Sequence, residues 1–452
     1  MTITYDPFHP KYLDEIDLRQ EMDRVYDLCH GCRLCFKYCS SFPTLFDFID
    51  VHDDQDSSKM TPAQQDQVVD ECFQCKLCYI NCPYIPGQSE WELDFPRLMM
   101  RAEQVLFRTR KTPFKERVTD TVLGKTDLVG RIGSVTAPVA NASIKTPSSG
   151  LRSLVEKASG ISKERVLPPF ARQRFSTWFK KAPSSGAIST LRRSTGDAAR
   201  PGKVVMFPTC LVEYQDTQVG KDLVRVYERN GIECSLPEGQ VCCGAPMLHQ
   251  GNVEGFRQNA RKNIAVLAAA LRTARGRGEQ LAIVVPQPTC GYILKKDYVD
   301  YVGGPDAELV AEHTFDACEY LVDIHKADKA DGGAGLDTEF TGHVPATTTY
   351  HAPCHLRAQN VGLRSRDLIK LTGTKVTVVA ECSGIDGTWG LRAENLELSR
   401  KAASKMVADM KRADSEIIAG DCSLANGGIT LETGSVPVHP LSLLARAYGI
   451  EP

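Results

Sequence analysis

The sequence predicts a multidomain α+β chain, in which a helical, cysteine-bearing module is followed by an α/β unit that occurs twice. Three observations carry this expectation. Two matched runs of four Cys stand near the start, and the spacer between them has no alternating strand pattern. From Lys203 onward, short runs rich in β-branched residues alternate with helical patterns. The order of those segments, and of the Cys that follow them, then recurs beyond Thr347, as an internal duplication would produce. At 452 residues the chain is also too long for one core.

The front module reads as helices strung between the cysteine runs. Residues 11–28 place Leu13, Ile16, Met22 and Val25 on roughly one face. Residues 43–51 look helical. A helix over 62–71 starts from Thr61 as N-cap with Pro62 at its first position. After Pro83 the chain turns at Pro86-Gly87, and a helix over 95–108 begins from Asp94.

The runs themselves are Cys29, Cys32, Cys35, Cys39 and Cys72, Cys75, Cys78, Cys82. The second is C-x2-C-x2-C-x3-C followed by Pro83, the ligand run that bacterial ferredoxins use for a [4Fe-4S] cluster; the first has Ser40 in place of the proline. Three closely spaced thiolates reach one centre as the chain curls around it, and the fourth turns away to the other cluster. The expectation is therefore crossed: Cys29, Cys32, Cys35 and Cys82 around the first [4Fe-4S] cluster, Cys72, Cys75, Cys78 and Cys39 around the second. Zinc sites use pairs of Cys and fit the spacing less well. The module is thus expected to be an α-helical, ferredoxin-like domain with two [4Fe-4S] sites, over residues 1–109.

Seventeen Cys without a recognisable export signal argue for metal ligation over disulfides, and for a cytoplasmic protein. No run of apolar residues is long enough to span a membrane. The net charge of −2 conceals a division: residues 1–96 carry 7 Lys/Arg against 18 Asp/Glu, whereas 97–200 carry 21 against 7. An acidic surface around redox centres suits the docking of a partner. Residues 110–200 form a basic, Gly/Ser-interrupted connecting segment with short amphipathic pieces. In its stretch 172–181, Phe175, Trp178 and Phe179 sit among basic residues. That stretch could lie on an anionic membrane, dock an acidic partner, or wrap the chain's own acidic front module. No base-reading module accompanies the charge, so nucleic acid is not expected.

In the C-terminal part, strands are expected at 204–207, 281–285, 347–350, 375–379 and 416–419, with helices at 220–230, 253–275, 365–371 and 393–412. Cys210, Cys290, Cys354, Cys382 and Cys422 fall just past strands, and Cys242-Cys243-Gly244 lies in a turn. Open α/β sheets place their sites at such strand ends. The expected units are 201–325 and 346–452, joined by a Gly-rich linker at 326–345. Cys234 and Cys318 lie outside the pattern and are expected to be buried structural thiols.

Cys210, the Cys242-Cys243-Gly244 turn and Cys290 resemble the CCG cysteine-rich domain of heterodisulfide reductase-related proteins. A two-cluster module followed by two such repeats is similar in layout to the iron–sulfur subunits of anaerobic glycerol-3-phosphate dehydrogenases and of lactate and glycolate oxidases. The family pattern is C…CC-G…C-x-x-C, and the sequence departs from it. Ile293 replaces the last Cys of the first repeat, Ser383 the second Cys of the later pair, and Ala425 the last Cys of the second repeat. Cys210, Cys242, Cys243 and Cys290 suffice for a third cluster or a zinc ion. Cys354, Cys382 and Cys422 form an incomplete set needing an oxygen or nitrogen ligand, such as Ser383, or leaving a position open. His351 and His355 flank Cys354 and are candidate ligands or proton donors.

The resemblance implies an iron–sulfur electron-transfer subunit working between a flavoprotein dehydrogenase, for glycerol 3-phosphate or a 2-hydroxy acid, and a quinone or other acceptor. Location would be cytoplasmic, with a peripheral membrane contact as an option. The chain shows neither a G-x-G-x-x-G after a strand nor a Walker-type loop, so hydride chemistry would belong to a partner. Three alternatives stand beside this: a thiol/disulfide reductase with its reaction centre at the CCG repeats, an electron donor to a peroxide-reducing diiron protein, and a non-redox binding module with structural zinc.

Overall fold

The computed structural model describes residues 5–109, 118, 121–182, 202–386 and 388–451. The front module is helical, as expected. Helix α1 (Glu15–Cys32) starts where the Asp14 carboxylate accepts from the Asp17 N–H, and ends at Arg33, whose left-handed backbone (φ 53) returns an N–H to the Cys29 carbonyl. That turn redirects the chain from Cys32 toward Cys35. Helices α2 (Ser41–Asp50) and α3 (Pro62–Asp70) follow, the latter opened by a Thr61/Gln64 capping box. Gln74 and Lys76 both take positive φ, curling the second run around its own centre before the short helix α4 (Leu77–Ile80). Helix α5 (Phe95–Thr109) closes the module over a core that includes Met22, Val25, Tyr26, Phe42, Phe46 and Leu98.

The C-terminal part contains two parallel sheets. The first has strand order β2-β1-β3-β4, with β1 (Lys203–Met206), β2 (Glu233–Ser235), β3 (Ala282–Val285) and β4 (Thr314–Asp316). The second has order β6-β5-β7, with β5 (Thr347–His351), β6 (Lys375–Val379) and β7 (Ile417–Gly420). The shared order, with the first strand central, is what duplication predicts. In each sheet the chain steps from the central strand to one neighbour and then crosses to the other side. The crevice beside the central strand is therefore a topological switch point. The first sheet adds the edge strand β4, which the sequence pattern missed because it is three residues long. The Ala317–Ala330 helix that follows runs into the first residues of the expected linker.

The two halves share a core. The Pro440–Ala447 helix leaves the second half and packs on Thr217–Arg229 of the first, with Leu441, Leu444 and Tyr448 joining Val219, Leu223 and Tyr227. The front module docks on both halves. Trp389 packs on Phe73 with ring centroids 4.4 Å apart and planes tilted by 48°, and its indole N–H donates to the Asp70 carbonyl. On the other side, Arg97 pairs with Asp300.

The connecting segment corrects one expectation. Phe175 is fully buried in the first half's core, Trp178 and Phe179 pack at its edge, and Lys221 and Arg225 lie over the Trp178 ring. The Ser176 N–H and hydroxyl both donate to Glu213, and Lys180 pairs with Glu238. The aromatics of 172–181 are thus used inside the chain, and the pairing acids belong to the first α/β half, neither to a membrane nor to the acidic front module. Helices Thr126–Val135, Ala137–Ile144 and Gly150–Ser159 form a strap that crosses to the second half, where Ile161 bridges to Arg392 and Arg165 donates to Ser399.

Candidate functional site

The eight Cys of the front module lie in two neighbouring groups. Cys29, Cys32, Cys35 and Cys82 line one small cavity with Leu28, Phe42 and Leu93. Burial, then the thiols of Cys35, Cys82 and Cys32, push Cys29 well up. Cys39 lies with the second run: burial raises it first, and Cys72 and Cys75 follow. Cys35 feels Cys75, and Cys78 feels Cys35, so the two sets adjoin. Buried thiols that oppose one another's ionisation need a cationic group to hold them as thiolates.

The second set continues directly into the second α/β half. Cys354 donates a hydrogen bond to Cys75, which pulls the Cys75 thiol down to about 7 and pushes Cys354 well up. Beyond Cys354 opens a cavity of about 350 Å³. All seven patterned Cys line it, together with Cys75, so both cysteine sets face one space and not two separate pockets. Its other wall is the apolar strap, through Val122, Val129, Ile144, Leu167 and Phe170.

The chain path explains why these thiols converge. Cys210 and Cys290 follow the adjacent strands β1 and β3, Cys354 and Cys422 the adjacent strands β5 and β7, so each pair sits at its sheet's switch point. Thr209 precedes Cys210 with φ +66, a strained conformation for a β-branched residue. In the Cys242-Cys243-Gly244 turn, Gly244 has φ +92 and donates its N–H to the Cys242 sulfur at 3.5 Å. Gly384 repeats this with φ +68 and a 3.2 Å bond to Cys382. The backbone of the first turn is pinned by Asn263 on the Cys242 carbonyl, Tyr298 on the Cys243 carbonyl and Asp127 on the Cys242 N–H.

Within the first set, Cys243 and Cys290 sulfurs are 3.1 Å apart. Hydrogen bonds from Cys210 and then Cys243 hold the Cys242 thiol well below its usual range, against its burial. Of the replaced positions, Ser383 and Ala425 face the cavity, while Ile293 is packed in the first half's core. Cys234 and Cys318 lie away from the cavity. Among the described residues, no three Cys, His, Asp or Glu side chains converge tightly enough to hold a single metal ion.

The histidines separate by their hydrogen bonds. His355 donates from Nε2 to the Gln74 carbonyl at 2.9 Å and accepts at Nδ1 from the Thr289 hydroxyl at 2.9 Å. Both nitrogens are engaged, so His355 is a bracket joining front module, first half and second half, a different role from the ligand or proton donor suggested by its position beside Cys354. His351 donates from Nε2 to the Glu381 carbonyl at 3.1 Å, and its Nδ1 has no partner. Burial holds both imidazoles down at about 4. A histidine kept neutral in the fold contributes stability that is complete above about pH 6.5 and lost as pH falls toward 4. Replacing His355 by Gln is expected to flatten that acid limb, read as the urea midpoint between pH 4 and 7, on the order of 2 kcal/mol less change.

Sequence reasoning passed over His249, which lines the same cavity, stacks on His355 at 5.9 Å and leaves Nε2 without a partner. The one signal for it was its place on the helix that starts directly after Gly244.

The repeated turn, the repeated strand order and the shared cavity agree with the comparison to known proteins. The model of the CCG cysteine-rich domain matches residues 204–295 and 348–424, one match on each sheet. Lactate utilization protein A of Bacillus cereus (strain B4264) is 30% identical over 51% of this chain and 92% of its own length. The chain belongs to the CCG cysteine-rich domain family. A component of the anaerobic glycerol-3-phosphate dehydrogenase of Escherichia coli (strain K12) is 26% identical over 72% of this chain and 76% of that protein. Lactate utilization protein A 2 of Bacillus mycoides (strain KBAB4) is 29% identical, again over 51% and 92%. The two matches take in the strand sets β1 to β3 and β5 to β7, and Gly244 and Gly384 are the glycines of their CCG and CSG turns.

Proposed function

We propose that this chain is an iron–sulfur electron-transfer subunit of an oxidoreductase, relaying electrons between a flavoprotein dehydrogenase or other redox protein and an acceptor at the cavity between the CCG halves. One observation carries the reading: Cys75 of the front module lines that cavity together with all seven patterned Cys of the two halves. The front sets are read as two [4Fe-4S] sites, and the CCG thiols as holding a further iron–sulfur group. Such groups, when bound, store and pass one electron at a time. The chain's own part is to hold the thiolates, shield them from water and space the sets within reach of one another. The names of the relatives support glycerol 3-phosphate or a 2-hydroxy acid as the dehydrogenase's substrate. The apolar strap wall suits an apolar acceptor such as a quinone.

Anaerobic iron, sulfide and zinc analysis with EPR tests the cofactors. About eight irons are expected from the front sets alone, and more with a CCG centre. Co-elution with a candidate flavoprotein tests the relay; zinc in place of iron, or full activity without a partner, would sink it. A second reading, reduction of a small disulfide, is favoured by Cys242, held low by Cys210 and Cys243 beside the cavity. Turnover of such a disulfide by the isolated reduced protein would establish it.

For location, we infer a peripheral contact with the cytoplasmic face of a membrane. Among the described residues no helix is long and apolar enough to cross one. Leu128, Ile132, Val135 and Val139 are exposed along the strap, whose inner face walls the cavity, and Leu151 and Leu154 are exposed on its next helix. This apolar face lies in the segment with the large basic excess, a combination that suits anionic lipid. Vesicles containing phosphatidylglycerol are expected to co-sediment the protein. A double Ile132→Glu, Val135→Glu variant should bind them roughly thirtyfold less, from the loss of about 2 kcal/mol of apolar burial.

A further inference from the structure

We propose that His351 is the nitrogen ligand that completes the second CCG set, joining Cys354, Cys382 and Cys422 through Nδ1. The inference rests on the reading that the CCG thiols hold a metal group. The sheet register places His351 at the middle of the set. It ends the central strand β5 and pairs with Val379 on one side and Gly420 on the other. Cys354 opens the helix that follows the central strand, Cys382 lies just past Val379, and Cys422 just past Gly420. The three Cys thus follow three neighbouring strand tips, the central one ending in His351, and all four residues line the cavity.

The hydrogen bonding of the ring supports a donor role. His351 is 1% exposed, so a lone pair without a partner there is destabilising. Its Nε2–H is given to the Glu381 carbonyl, which fixes the tautomer and leaves the unpartnered Nδ1 as the lone-pair atom. Metal-bound imidazoles show this division of labour, one nitrogen on the metal and the other N–H on a carbonyl. No proton has to leave for the bond to form.

The two halves also differ at this position in the sense expected. Three residues before Cys210, the first half has Phe207, buried in its core, and that half keeps both cysteines of its pair. Three residues before Cys354, the second half has His351, and there Ser383 has replaced the second thiol. The first half lacks one pattern Cys, at Ile293, and the second lacks two, at Ser383 and Ala425; the half that lacks two carries the nitrogen donor. Among the described residues no three such side chains converge on a single ion.

The test uses the full chain, purified anaerobically after growth with ¹⁵N-histidine, and reads nitrogen couplings by pulsed EPR. A histidine nitrogen strongly coupled to a paramagnetic centre is expected in the unsubstituted protein, and this arm needs no variant to fold. His351→Phe, the residue of the other half, should abolish the coupling and lower iron while the signals of the front sets persist. His351→Cys should restore iron without the coupling, and Ser383→Ala should leave both unchanged. A CCG centre that is present, lost in Cys354→Ser, and free of histidine coupling would overturn the inference while leaving the cofactor reading intact. Iron and spectra unchanged by Cys354→Ser would overturn both.

Discussion

Gly384→Ala is expected to cost about 3–5 kcal/mol of stability, enough to unfold much of the second CCG half under mild urea. Two effects add. The backbone at Gly384 has φ +68, which an L side chain adopts at about 1 kcal/mol or more. The new Cβ would also lie 2.1 Å from the Ser399 carbonyl oxygen, a backbone atom of the Leu396–Ala413 helix that cannot step aside alone. Gly373→Ala provides the comparison, since its φ is +91 but nothing lies within 4 Å of the added atom. That variant should lose only the conformational part, about 1–2 kcal/mol. Urea midpoints of the two variants measure the difference; equal losses would mean that the close approach to Ser399 is relieved at no cost.

Cys82→Ser is expected to remove the centre of the other run. Cys82 follows Cys72, Cys75 and Cys78 in sequence but lines the cavity of Cys29, Cys32 and Cys35. The variant should therefore lose about four irons and the signal of the first set, and retain the second. Cys39→Ser should give the reverse. If Cys82→Ser instead erased the signal that depends on Cys72 and Cys75, each run would be serving its own centre. The paired variants, compared by iron content and EPR, separate the two arrangements without reference to catalytic activity.

Much of this architecture can be read from local pattern. Thr61, Pro62 and Gln64 announce a helix start through their own chemistry, and the expected 62–71 helix is found within a residue. The β-branched runs within the expected strands 204–207 and 375–379 locate β1, which is buried after Lys203, and β6, an edge strand whose Lys375 and Thr377 are exposed. What the pattern could not carry is relation between segments. The edge strands β2 and β4 are three residues each, too short for any periodicity. That Phe175 enters the first half's core depends on Gly220, where an added Cβ would sit 2.7 Å from its ring, and nothing near Phe175 in sequence reveals this. The same applies to the site. The Cys spacing indicates which residues are donors, but their meeting in one cavity, the Cys75–Cys354 contact and the idle nitrogen of His351 follow from docking three parts of the chain together.

The Pro440–Ala447 helix has a consequence for the order of assembly. It covers the Thr217–Arg229 helix of the first half, yet it is synthesised long after it. During translation the apolar face of Thr217–Arg229 waits uncovered, and the first half reaches its native core only once the second half has emerged. The CCG thiols, which face a cavity closed by both halves, share that delay, whereas the front Cys runs lie in a module with its own core. A group held by the CCG thiols would therefore be enclosed only after the second half has folded, later than one held within the front module.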